Sequence, residues 1–286
     1  MTLKTRPRIT ALAALSICDL AQRGHLGTFR MIRNFMILGT QRTGSTALYQ
    51  SLNCHPEIAC GGEWLQYVGW YKKLRVTQAA LAGSFAVLTP RDQELIAKEY
   101  HRGTRWLGFK LLFRSSDKWL LHPRFSPALW LDRLEAYFQW LSQRPDIHVI
   151  HIVRKDAMEW LKSKYLSSAT GLFTGKQYPD GIKVNISLTG AVKRLQAKNW
   201  IDTRLAALSH TNPYLRIYYE DFSLSNYTAT LELVEFLQCD STQLAKDNDQ
   251  VLKKQSKRSA ENYISNYDQL LLELQGRALL EAQIRD

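Results

Sequence analysis

Apolar positions along this chain follow two rhythms. Short runs at 35–38 (FMIL), 106–111 (WLGFKL), 147–153 (IHVIHIV) and 215–219 (LRIYY) have the length and residue types of strands, and 58–60 is short enough for a minor one. Helical patterns follow most of them, at 45–53, 156–167 and around 231–237. Strands that alternate with helices predict an α/β fold, a central parallel β-sheet flanked by helices on both faces. Two longer helical patterns, 187–209 and 266–280, carry leucines on one face and read as packing helices or an oligomer contact, so a homodimer stays open. The stretch 170–186, with Gly171, Gly175, Pro179 and Gly181, is a loop long enough to be a lid or a substrate contact.

Composition narrows the class. The chain has 286 residues, 45% hydrophobic and 22% charged, which excludes a disordered polymer. It contains no repeat and no Gly/Ser linker, so a single domain over 1–286 is expected, with 1–33 as an N-terminal helical extension. Lys and Arg number 38 against 26 Asp and Glu, a net charge of +12 that suits a phosphate- or sulfate-rich partner. Cys18, Cys54, Cys60 and Cys239 have neither zinc-ligand spacing nor disulfide-scaffold density, which points to free thiols. The apolar run 9–21 is short and interrupted by Asp19; Arg6 and Arg8 before it give a weak signal-peptide pattern. An amphipathic helix, no stable membrane insertion and a cytoplasmic protein are expected.

The chemistry concentrates in FMILGTQRTGSTALYQSL. Gly39 ends a strand and Ser45 opens a helix. The two glycines, Gly39 and Gly44, let backbone N–H groups converge on an anion, and the helix N-terminus adds more of them. Against the triphosphatase pattern GxxxxGK[ST], Gly39, Gly44 and Thr46 match, but Ser45 stands at the lysine position. The loop's cation is Arg42, placed to face the outer end of a shorter 5′-phosphate group. The strand 147–153 runs into Arg154 where a triphosphatase often has an Asp for Mg²⁺. A metal-dependent triphosphatase is therefore disfavoured, and no metal is expected.

The loop QRTGST resembles the 5′-phosphosulfate loop of PAPS-dependent sulfotransferases, whose donor is 3′-phosphoadenosine-5′-phosphosulfate (PAPS). VIHIVRKDAMEWLKSKY resembles that family's 3′-phosphate element, with Arg154 and Ser163 as the matching residues and Lys162 as the fallback one position earlier. LRIYYEDF resembles the strand and acidic segment that follow, and KKQSKRSAENYISNYDQL the C-terminal stretch that closes over the nucleotide. The resemblance runs in order from about residue 34 to 274. It implies a P-loop-like fold, PAPS as donor and its desulfated product PAP as leaving nucleotide. It also implies donor contacts from Gln41, Arg42, Thr43, Gly44, Ser45, Thr46, Arg154 and Ser163, with Lys257 and Arg258 from the C-terminal basic run.

Sulfuryl transfer needs a base for the acceptor proton and cations for the leaving oxygen. Arg42 is the first choice for the leaving oxygen. Glu63, after the short strand 58–60, is the base by analogy with carbohydrate-type members, with Glu57 and His122 as weaker rivals. A simple ion pair with Lys72 or Arg75 competes for Glu63. Lys110, a charge inside an apolar run, contacts sulfate or acceptor, or else faces solvent on an edge strand. His148 and His151 read as structural. The expected acceptor is a small molecule or glycan, in a carbohydrate or glycolipid, with no nucleic-acid partner. Two other readings remain: a nucleotide or nucleoside kinase with a degenerate loop, and a non-catalytic basic module for RNA or acidic polysaccharide.

Overall fold

The computed structural model describes residues 33–61, 104–113, 127–173, 177–224, 226–243 and 258–279. All belong to one compact unit formed by 31–63 and 99–286. The N-terminal extension, Glu63, His101, His122 and Lys253, Lys254, Ser256 and Lys257 lie outside the described residues.

Five parallel strands form one sheet in the order β2-β3-β1-β4-β5. They are β1 (Arg33–Thr40), β2 (Ile58–Gly61), β3 (Trp106–Phe113), β4 (Ile147–Val153) and β5 (Tyr214–Tyr218). The central strand β1 pairs with β3 and β4, with Ile37 opposite both Lys110 and Ile150. Period-two alternation sends alternate residues to the two faces. On one face Phe35, Ile37, Ile150, Ile152 and Ile217 meet Leu48 and Leu52 of α1 (Ser45–Leu52). Leu233, Val234 and Leu237, from α6 (Asn226–Phe236) and the turn after it, complete that layer. On the other face Tyr137 of α2 (Pro127–Ser142) donates to the Met36 sulfur at 3.5 Å and packs edge-on against Phe113. Each fully buried Leu, Ile or Phe contributes roughly 1.5–3 kcal/mol, and β4 between its two neighbours has no exposed residue. Expectation and structure agree on the α/β class and on both covered faces.

Helix α3 (Ala157–Thr170) follows β4, with the Asp156 carboxylate accepting from the Glu159 N–H at 2.8 Å as its cap. It stops at Gly171, whose φ of 70° few other residues adopt. Helix α4 (Leu188–Ala206) and α7 (Tyr267–Gly276) realise the two long helical patterns, each shorter than the pattern suggested. Between β5 and α6 lies a short helix, α5 (Tyr219–Leu224). Tyr219 therefore opens a helix instead of ending the strand.

Among the described residues no helix is long and apolar enough to cross a membrane. Cys54, Cys60 and Cys239 are free thiols. His148 and His151 are structural, as expected. His148 packs against Trp106 and Phe236, and His151 sits in a buried network, 2.7 Å from the Tyr214 hydroxyl and 3.4 Å from Asp202.

Candidate active site

The sheet order puts the carboxyl ends of β1, β4 and β5 side by side, where an open α/β sheet binds ligands. The loop 40–44 leaves β1 and enters α1. Arg42 and Gly44 both have positive φ, 72° and 81°. A non-glycine residue in that region is strained and holds it only where its surroundings demand it. Here the alternation turns the loop into a concave row of backbone groups. Gly44 is the N-cap of α1 and brings no capping side chain, so the helix presents its first-turn N–H groups to the loop. Gly44 also has a packing reason: a Cβ there would stand 2.5 Å from a Tyr219 ring carbon.

Arg154 leaves β4 into the same place. It is 4% exposed, donates to the Arg42 carbonyl at 3.2 Å and to Glu159 at 3.2 Å, and lies 4.3 Å from the centre of the Tyr219 ring. Arg154 pairs with Glu159 and not with the nearer residue in sequence, Asp156, whose carboxylate caps α3. The Arg154 Nε and the Thr40 hydroxyl are buried without a hydrogen-bond partner. Orphaned buried donors are rare, and these two lie where β1 and β4 end. Two cations, a row of N–H groups and these orphaned atoms fit a phosphorylated, sulfated nucleotide.

The Arg42 side chain is tied to other elements. Its left-handed backbone sends the side chain towards α3, where Nε donates to Ser163 at 2.9 Å and Nη2 to the Tyr178 hydroxyl at 3.0 Å. Nη1 donates to the Phe173 carbonyl. Burial pushes the guanidinium below its usual range, with Tyr178 pulling the other way; it stays charged at neutral pH. The loop cation and Ser163, read from sequence as parts of two separate subsites, are thus hydrogen-bonded neighbours.

One face of α3 holds the loop from outside. The Trp160 indole donates to the Gln41 carbonyl at 2.8 Å, and Lys164 donates to the Gln41 side chain at 2.6 Å. Residues 160, 163 and 164 share a helix face by spacing. Thr43 braces the loop internally through the Thr40 carbonyl at 2.8 Å. Lys162 is fully buried between the Glu159 carboxylate, at 2.7 Å to both oxygens, and the Arg258 carbonyl at 2.9 Å. Arg258 itself is exposed, and the contact seen is through its backbone. Glu220 accepts from the N–H groups of Lys155 and Asp156 at 3.1 Å each, fixing the turn that carries Arg154.

Lys110 is neither on an edge nor in solvent. Strand β3 is interior, and Lys110 is 8% exposed, donating to Thr46 at 3.0 Å beneath α1, 5.0 Å from the Tyr49 ring. Ser45 is buried at the helix start. Glu57 pairs with Arg105 at 3.0 Å, away from the loop. Sequence reading missed Glu159, Trp160, Lys164, Tyr178, Tyr219 and Glu220. The helical spacing of 160, 163 and 164 is a usable signal; Tyr178 comes from an irregular segment and carries none.

One group of metal-ligand types occurs among the described residues: His55, Glu57 and Cys239, with ligand atoms within 4.8 Å of one another. Hydrogen bonds use both His55 nitrogens: Nδ1 accepts from the Glu57 N–H at 3.1 Å and Nε2 faces the Asp240 carbonyl at 2.9 Å. Burial, with Glu57 nearby, pushes the Cys239 thiol up to about 12, which keeps it protonated. The group is built as a hydrogen-bonded corner.

A model of the sulfotransferase family matches residues 34–243, well over half of the chain. Similar solved structures include a sulfotransferase from Alicyclobacillus acidocaldarius, with 15% identity over 89% of this chain and 96% of that one, at a TM-score of 0.45. Another is the sulfotransferase STF9 from Mycobacterium avium, with 11% identity over 86% and 76% and a TM-score of 0.44. No curated protein matches. The match of the family model spans the phosphate loop, Arg154 and Ser163, and by it this chain belongs to the sulfotransferase family.

Proposed function

We propose that the protein transfers the sulfuryl group of PAPS to an acceptor hydroxyl, with a carbohydrate or glycolipid as the acceptor class. The observation that carries this reading is the meeting of two cations at adjoining strand ends: Arg154 donates to the Arg42 carbonyl, and Arg42 donates to Ser163 of α3. The bound donor supplies an activated sulfur. Arg154 and Ser163 hold the 3′-phosphate, and the N–H groups at the start of α1 hold the 5′-phosphate. Arg42 and Lys110 contribute positive charge where the phosphosulfate bridging oxygen becomes negative. Glu63 takes the acceptor proton as the acceptor oxygen bonds to sulfur and the S–O bond to the nucleotide breaks; PAP leaves with the electron pair. No step calls for a metal. A cytoplasmic location belongs to the same proposal, supported by free thiols at Cys54, Cys60 and Cys239.

The test is thermal denaturation with PAP against ATP, with and without Mg²⁺. Stabilisation by PAP in the absence of metal is the expected result, since a ligand at 100 times its Kd adds about 2.7 kcal/mol. Preference for Mg·ATP would replace the reading with a kinase.

A further inference from the structure

We infer that Trp160 is a positioning residue: its indole fixes the 41–42 peptide so that the Arg42 N–H, and not the Gln41 carbonyl, faces the 5′-phosphate of the nucleotide. The inference rests on the sulfuryl-transfer reading and brings in a residue of α3 to which that reading gives no role.

A planar trans peptide points its carbonyl and its N–H in opposite directions. Whatever holds the Gln41 carbonyl therefore also aims the Arg42 N–H. The Trp160 indole donates to that carbonyl at 2.8 Å. Lys164 meets Gln41 as well, but at the side-chain oxygen, which does not set the direction of the peptide.

This peptide has a reason to turn the other way. Rotating it changes ψ of Gln41 and φ of Arg42. That φ is 72°, where a residue with a Cβ is strained. A half-turn of the peptide would return Arg42 to negative φ and relieve the strain. It would also send the Gln41 carbonyl to the side now held by the N–H, where it repels an anion. The relaxed backbone and the anion-binding backbone are opposite states of one peptide, and the Trp160 bond selects the second. The carbonyls on either side are held too: that of Thr40 by the Thr43 hydroxyl at 2.8 Å, and that of Arg42 by Arg154 at 3.2 Å. Trp160 is suited to the task. It is fully buried in a cluster with Tyr178, Ala191 and Leu195, so its ring cannot swing away, and a buried indole N–H requires an acceptor.

Calorimetry on the full chain compares PAP with adenosine 3′-phosphate, which lacks the 5′-phosphate, for wild type and Trp160→Phe. The substitution keeps an aromatic ring and removes the donor. The Kd for PAP should rise about tenfold, the scale of one charge-assisted hydrogen bond, while that for adenosine 3′-phosphate changes by less than about twofold. In wild type, PAP should also shift the backbone amide resonance of Arg42, and Trp160→Phe should abolish that shift. If this variant does not fold, replacing the Trp160 indole by benzothiophene, with sulfur where the N–H was, keeps the shape of the ring and carries the same test. Equal losses for both ligands, or no loss of PAP affinity, would overturn the role of Trp160 and leave the donor reading intact. Failure of wild type to bind PAP would overturn that reading itself.

Discussion

Replacing Gly44 by alanine joins two costs that the structure allows to be separated. The first is conformational: φ at 44 is 81°, where an L-residue with a Cβ pays about 1–2 kcal/mol. The second is steric: the new Cβ would stand 2.5 Å and 2.9 Å from two Tyr219 ring carbons. Ordinary contact begins near 3.4 Å, so the ring has to retreat by about 0.9 Å, and overpacking of that kind costs roughly 1–3 kcal/mol. The ring also faces the Arg154 guanidinium at 4.3 Å, so its retreat disturbs that cation. Gly181 is the control, with φ of 74° and nothing within 4 Å of a Cβ. Urea unfolding followed by circular dichroism should show Gly181→Ala losing about 1–2 kcal/mol and Gly44→Ala about 2–5 kcal/mol. Calorimetry should show PAP binding intact in the first and lost in the second. Equal stability losses with equal PAP affinity would refute the claim that Tyr219 packing makes Gly44 necessary.

Further outcomes are expected. Arg154→Ala removes charge-assisted bonds worth about 1.5–3 kcal/mol, so the Kd for PAP should rise roughly ten- to hundredfold; an unchanged Kd would remove Arg154 from the site. Glu63→Gln should keep PAP affinity and lose transfer of radiolabelled sulfur from PAPS to glycan acceptors; normal transfer would disqualify it as the base. Asp202→Asn leaves Lys198, 2% exposed, without its carboxylate and should cost about 3–5 kcal/mol in urea unfolding; a loss below 1 kcal/mol would refute the pairing. Burial pushes the His151 imidazole below its ordinary value, against the pull of Asp202, and burial does the same for His148. The unfolded chain then takes up protons first as pH falls through about 6.5, so stability present at pH 7.5 should fall towards pH 5.5. His151→Gln should flatten that slope, and an unchanged slope would place its origin elsewhere.

The strands were readable because each carries a short, mostly apolar run, and the run of β4 ends where Arg154 breaks it. Ser163 was singled out only by the family resemblance of VIHIVRKDAMEWLKSKY. The direction of Arg42 was not readable. Its side chain turns to α3 because φ is positive at a residue type that seldom adopts it, and nothing local in the sequence announces that. Lys110 was half-readable: a charge in an apolar run had to be either exposed or partnered, but only the strand order makes β3 interior and puts Thr46 above it. Tyr178 and Tyr219 act across 136 and 65 residues of chain, on Arg42 and Arg154 respectively. Contacts of that range depend on the tertiary arrangement and not on local pattern.

The strand order 2-3-1-4-5 has one more consequence. Arg42, Arg154 and Tyr219 lie where β1, β4 and β5 end, and Lys110 lies on β3, across β1 from Arg154. Strands β2 and β3 lie on the opposite side of β1 from β4, the strand that leads to Arg154. The sheet therefore has two halves that meet at β1, one leading to Arg154 and the other carrying Lys110. Because the two halves meet along β1, a displacement of that strand would move Lys110 and Arg154 together.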